Sequence, residues 1–254
     1  MFPILQIGSL ALQTPGLILL LGMWLGLDLA ERQAPRFQLP PTQIFTTALV
    51  ALAGGLIGGR LVFAATNIQV FYENPLNLFS ISPQMISMAG GVLFAIASAL
   101  AYGRRAGLPL WPTLDCLTSL LAVLQISANL ANFASGDAYG LPTTLPWAIY
   151  LWGAMRHPTQ IYETLSALIA AMITWPWAAA RISRLYNQPG RRFWAFIAIS
   201  ASARLFLEAY RADSILIMNQ FRQPQLIAWL VLALSLWQIA RRVSPTRISA
   251  GSPI

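Results

Sequence analysis

The chain has 254 residues, 57% of them hydrophobic and only 9% charged, against about a quarter charged in an ordinary soluble domain. Such a surface cannot face water. The net charge of +8 would suit nucleic acid in a soluble protein, but the positive residues gather in a few loops, so membrane topology explains them and no nucleic-acid partner is expected. The single Cys116 excludes an internal disulfide framework, and the fold must rest on helix packing within a bilayer. All sixteen positive residues are arginine, a bias to which the sequence attaches no function.

From Met1 to Leu27 there is no charge, no basic N-region and no small-residue cleavage pattern; this stretch is expected to stay as a first span and not to leave as a signal peptide. A spanning helix needs about twenty mostly apolar residues. Charges and Pro/Gly clusters divide the chain into stretches of that size: Leu10 to Leu29, Gln43 to Ala65, Met85 to Tyr102, Thr113 to Phe133, Thr159 to Ala180, Phe193 to Tyr210 and Gln225 to Ala240. The expected fold is therefore all-α, a single polytopic membrane domain over residues 1–254 with about seven spans.

If the connections alternate sides, one side receives eleven arginines: Arg32, Arg36, Arg104, Arg105, Arg181, Arg184, Arg191, Arg192, Arg241, Arg242 and Arg247. The other receives only Arg156, Arg211 and Arg222. The positive-inside rule then places the C-terminus in the cytoplasm and the N-terminus outside, in a multi-pass protein of the cytoplasmic (inner) membrane. The two longest external connections, 66–84 and 134–158, are rich in Asn, Pro, Ser and aromatics and are expected to form a small outer cap. Trp111, Trp147, Trp152 and Trp237 fall near span ends, where an aromatic belt belongs.

Charge in hydrocarbon is costly unless paired or wetted, so Arg60, Glu163, Arg204 and Glu208 are expected to face the bundle interior. The spacing of Arg204, Glu208 and Arg211 puts them on one helical stripe, with the first two close enough to pair. That stripe either binds an anionic headgroup or fixes helix register as an internal ion pair. Asn129 and Asn132 share a face and lead into Asp137; they either bond to a neighbouring helix or touch a ligand. His157 lies in Arg156-His157-Pro158-Thr159-Gln160-Ile161-Tyr162-Glu163, where Pro158 suits a helix's first turn, and is open to a structural or a catalytic role. No metal cluster, phosphate loop or nucleophile elbow stands in the sequence, so neither metal nor cofactor is expected; the Gly pairs at 54–55, 58–59 and 90–91 fit close helix packing.

These segments, in this order, resemble the prolipoprotein diacylglyceryl transferase family, membrane enzymes that move a diacylglyceryl group from phosphatidylglycerol to a lipoprotein cysteine. Arg156 to Glu163 reads RHPTQIYE against the family's RHPSQxYE, and Arg204 to Asp213 reads RLFLEAYRAD against RxxxEFFRxPD. Supporting matches are Gly58-Gly59-Arg60, Asn74-Pro75-Leu76, Arg104 to Pro109 and Leu145-Pro146-Trp147. The departures fall in the reactive motifs. The family's GRxGNFxNxExxG stands here as Ala128 to Gly140, with Asn129 for its arginine, Ser135 for its second asparagine and Asp137 for its glutamate. Ala89 replaces the histidine of SFHGG, and Pro15-Gly16-Leu17 stands for YGL.

The resemblance implies seven spans, an outside N-terminus and a phosphatidylglycerol-like phospholipid as partner. With a phosphate clamp and a proton acceptor replaced, it implies a family member without transferase chemistry. Such a protein would be a lipid-binding or structural subunit of a larger membrane complex, bioenergetic or photosynthetic in kind. Its lipid contacts would be Arg60, Asn129, Asn132, Asp137, Arg204 and Arg211. The alternative is an active transferase of lipoprotein biosynthesis in which Arg204, Glu208 and His157 carry the reaction. A transporter is the remaining class, against which no repeat relates the two halves.

Overall fold

The computed structural model describes residues 4–7, 10–73, 85–175, 188–214, 216–217 and 220–242. Strands β1 (Ile4–Ile7) and β2 (Leu10–Gln13) form an antiparallel hairpin, and α1 follows directly as Thr14–Gln33. The first helix thus starts later than the apolar pattern indicates. Residues from Leu10 to Gln13 are held in the ladder, and Pro15, which has no N–H to offer, sits where a helix needs none.

After a 3-10 turn, Ala34–Phe37, come α2 (Pro41–Thr66), a short α3 (Ile68–Glu73), α4 (Met88–Arg105) and α5 (Leu110–Ser135). Hairpin β3–β4 (Ile149–Leu151, Ala154–Arg156) precedes α6 (Thr159–Thr174). Its two-residue turn, Trp152-Gly153, has both φ angles positive, 51° and 79°, as the twist of a tight hairpin demands. Helix α7 (Arg191–Leu207) runs into a 3-10 turn, Glu208–Tyr210, then strands β5 (Leu216–Ile217) and β6 (Phe221–Arg222) and helix α8 (Gln223–Arg241).

Among the described residues, five stretches are long and apolar enough to cross a membrane: Thr14–Phe37, Pro41–Thr66, Leu110–Ser135, Arg191–Tyr210 and Gln223–Arg241. Helix α4 is diluted by its closing Arg104 and Arg105. Helix α6 has sixteen residues and ends at Thr174, before the extended Trp175; residues 176–180 of that expected span lie outside the described residues, as do Arg181, Arg184, Arg247 and the Asn74-Pro75-Leu76 motif. Leu20, Leu21, Trp24, Trp229 and Leu230 are all more than 60% exposed, while Thr118, Gln160 and Glu208 are wholly buried. Apolar outside and polar inside is the arrangement of a helical protein dissolved in lipid.

Contacts divide the chain into two compact units, residues 27–117 and the remainder. Within the first, α2 packs on α4 through the glycines singled out by sequence. A Cβ on Gly59 would meet Ile86 Cγ2 at 2.7 Å and Ser87 O at 3.0 Å, and one on Gly55 would sit 3.2 Å from the Gly91 carbonyl. Ser98 Oγ donates across this interface to the Val50 carbonyl at 3.2 Å, and Cys116 Sγ of α5 donates to the Ala30 carbonyl of α1 at 3.3 Å. In the second unit α7 packs on both α6 and α8. A small core of Ala122, Ala170 and Phe196 joins α5, α6 and α7, and Arg192 ties Thr174 O at 2.6 Å to Ser119 Oγ at 2.7 Å.

Candidate functional site

The segment before α6 is held by backbone geometry. Leu141 N donates to Tyr210 O and Ala212 N to Tyr139 O, while His157 N reaches Leu141 O; bridges pair Gly140 with Arg211 and Pro142 with Arg156. Gly140 makes this possible, since any Cβ there would strike the His157 carbonyl and lie 2.7 Å from His157 Cβ. The first turn of α6 is anchored to the same loop, Thr159 Oγ1 donating to Ala138 O at 2.6 Å and Gln160 Nε2 to Asp137 O at 2.7 Å. Arg156 donates to the carbonyls of Leu151 and Gly140 and lies over the Tyr139 ring, 5.0 Å from its centroid.

One turn into α6, Glu163 is buried and its Oε1 accepts from two arginines, Arg204 Nη1 at 2.9 Å and Arg211 Nη1 at 3.0 Å. Arg204 closes α7, where a cation complements the helix dipole, and its Nη2 pairs with Glu208 Oε2 at 2.9 Å. The helical spacing therefore predicted the Arg204–Glu208 pair correctly. Arg211 arrives differently. The helix ends at Leu207, and Arg211 is extended at φ −82°, ψ 141°; it reaches Glu163 from the strand-like segment bridged to Gly140, not from a helical stripe.

Arg211 also grips Asp213 with two nitrogens, Nε at 2.9 Å and Nη2 at 2.6 Å. Burial works against its charge, but the hydrogen bond and attraction of Asp213, together with Glu163, outweigh that and raise its pKa above the ordinary arginine value. Glu208 is fully buried, and its Oε1 accepts from Ser214 Oγ at 2.7 Å.

Beside this cluster stands His157, edge-on to Tyr210 with centroids 5.2 Å apart. Its Nδ1 lies 3.5 Å from the Tyr162 hydroxyl, which itself accepts from Trp147 Nε1 at 2.7 Å.

Not every residue marked by sequence joins the cluster. Asp137 is exposed and its Oδ2 accepts from Ser135 Oγ at 2.7 Å. Asn132 contributes its carbonyl, to Gly136 N and Ser135 Oγ. Asn129 is buried in α5, and among the described residues no hydrogen bond links its side chain to the arginines. Arg60 belongs to the other unit, where Nη1 lies 3.4 Å from the Met85 carbonyl, and Ala89 is exposed in the first turn of α4. Asp213, Ser214, Tyr162 and Trp147, which sequence reading left out of the site, are part of its bonding; the Arg211–Asp213 spacing was the one local signal for them.

Between α7 and α8 runs a groove of about 340 Å³ with an almost wholly apolar lining, to which Ile197, Ala201, Arg204, Gln223, Ile227 and Val231 contribute. An apolar trough between two helices offers a surface suited to an acyl chain.

The family model described as prolipoprotein diacylglyceryl transferase matches residues 3–241. The phosphatidylglycerol–prolipoprotein diacylglyceryl transferase of Synechococcus elongatus is 26% identical, covering 91% of this chain and 83% of its own. Its namesake in Thermosynechococcus vestitus is 25% identical, over 93% and 91% of the two chains, and that of Chloroflexus aggregans 28%, over 79% and 72%. A match along nearly the whole chain coincides with the meeting of the two charged segments, RHPTQIYE and RLFLEAYRAD, at one carboxylate: this chain belongs to the prolipoprotein diacylglyceryl transferase family.

Proposed function

We propose that this membrane protein holds a phospholipid of the phosphatidylglycerol type at the Arg204 cluster without transferring its diacylglyceryl group. It then serves a larger assembly of the bacterial cytoplasmic membrane as a lipid-binding or structural subunit, with about seven spans, an outside N-terminus and the 134–158 loop in an outer cap. The lipid class is that in the relatives' names, and the apolar groove to which Arg204 contributes supports a lipid ligand.

The observation that carries the absence of transfer is the state of position 129. Transfer forms a carbon–sulfur bond from the lipoprotein thiolate while the carbon–oxygen bond to the phosphate breaks, so the leaving group's negative charge must be stabilised. In the family pattern an arginine stands at that position. Here it is Asn129, buried and uncharged, and an amide stabilises a phosphate less than a guanidinium fork. Arg211 is already committed to Glu163 and Asp213. Ala89, in the place of the motif histidine, accepts no proton.

One observation favours the second reading, an active transferase: His157 is set against Tyr162 and Tyr210 beside the intact cluster and offers a base for the incoming thiol. Expression in cells depleted of their own transferase decides between them. Absence of lipidation on a reporter lipoprotein, with phosphatidylglycerol retained on the purified protein, upholds the first reading; restored lipidation overturns it and upholds the second.

A further inference from the structure

Arg222 enters the sequence reading only as a loop arginine on the sparsely charged side. In the structure it ends β6 and is the N-cap of α8. Its Nη1 lies 2.6 Å from the Glu208 carbonyl, 2.6 Å from the Arg211 carbonyl and 2.9 Å from Ser214 Oγ. A guanidinium NH₂ has two protons, so three acceptors share them around one positive nitrogen.

The three acceptors come from the turn that ends α7 and the strand-like segment after it. Two are backbone carbonyls that flank the turn; the third is a hydroxyl that passes the link on, since Ser214 Oγ donates to Glu208 Oε1 at 2.7 Å. The other oxygen of that fully buried carboxylate pairs with Arg204. Arg222 also evens the local charge, because Glu163, Glu208 and Asp213 otherwise face only Arg204 and Arg211. A buried carboxylate without such compensation is costly.

We propose that Arg222 is a positioning residue of the headgroup site: by clasping the Glu208–Ser214 turn it holds Glu208 where that carboxylate orients the Arg204 guanidinium within the cluster. The inference rests on the reading of this cluster as a lipid site.

The test uses the full-length protein in lipid-depleted micelles. In a double-mutant cycle, the fall in thermal midpoint caused by Arg204→Met is expected to shrink to about half or less when Arg222→Met is already present. Equal falls in both backgrounds overturn the proposal, because a tie that merely braces the loop would leave the two substitutions additive. Ser214→Ala, which cuts only the hydroxyl link, takes the place of Arg222→Met in the cycle if the latter does not fold.

In titrations with phosphatidylglycerol and phosphatidylcholine, Arg222→Met is expected to weaken phosphatidylglycerol binding about fivefold or more. Arg222→Lys, whose ammonium brings three protons to three acceptors, is expected to recover it to within about twofold. Unchanged binding in Arg222→Met overturns the inference. If the unsubstituted protein binds both lipids equally, the headgroup reading fails and the thermal cycle alone decides the positioning role.

Discussion

Arg204 and Arg211 donate to the same oxygen of Glu163, at 2.9 and 3.0 Å, so one buried carboxylate joins the end of α7 to the segment beyond it. Removing that charge leaves two guanidinium groups facing each other. Loss of one partner of a buried pair costs about 3–5 kcal/mol; since Arg204 is 36% exposed and screened by water or headgroups, about 3 kcal/mol is expected for Glu163→Gln. Reversible denaturant unfolding in mixed micelles measures it, and a loss below about 1 kcal/mol would show that the pair is merely a surface bridge.

Arg204 both lines the α7–α8 groove and belongs to the ion-pair cluster. Arg204→Ala is expected to lower phosphatidylglycerol affinity about tenfold, the equivalent of one charge-assisted hydrogen bond, and to abolish transfer if the protein is an active transferase. Lipid titration followed by native mass spectrometry reads the first effect; an unchanged affinity would remove the headgroup from this arginine.

The raised pKa of Arg211 has a pH signature. A cation whose folded-state pKa lies above its unfolded value contributes stability that is complete below the unfolded value and disappears only as pH rises through the folded one. For arginine that window lies beyond ordinary handling conditions. The stability difference between the unsubstituted protein and Arg211→Met should therefore be flat between roughly pH 7 and 10. A slope across that interval, in parallel unfolding titrations, would contradict the pairing.

Two glycines give opposite expectations. At Gly59 a side chain meets Ile86, the Ser87 carbonyl and Gly91, so Gly59→Leu should destabilise the α2–α4 packing by about 3 kcal/mol, at the upper end of overpacking costs. Gly103, in the last turn of α4, has nothing within 4 Å of the point a Cβ would occupy. There Gly→Ala should stabilise by about 0.5–1 kcal/mol through helix propensity alone. Melting temperatures of the two variants, measured side by side, check both signs.

Much of this arrangement was legible in the sequence for local reasons. The glycine pairs in α2 and α4 and the Arg204–Glu208 pair follow from helical periodicity, which is a property of neighbouring residues. Glu163 could be marked as a costly charge but not assigned its partners, because they come from another helix. The geometry of Arg211 was misread because nothing in Glu208-Ala209-Tyr210 forbids helix; tertiary bridging to Gly140 ends it. Arg222 was missed for a different reason: two of its acceptors are backbone carbonyls, which leave no residue-specific trace. The N-terminal hairpin was absorbed into the first span because Leu10 to Gln13 carries no charge to separate it, although Pro15 marked the true start.

Gly140 contributes no functional group, yet the carbonyl and Cβ of His157 occupy the space where its side chain would be. A genetic screen for loss of this protein's role would thus recover position 140 among the arginines and carboxylates. Such an allele would look like a lesion of the charged cluster while altering only thickness: one added methyl group would wedge the loop from His157 and carry that ring away from Tyr210.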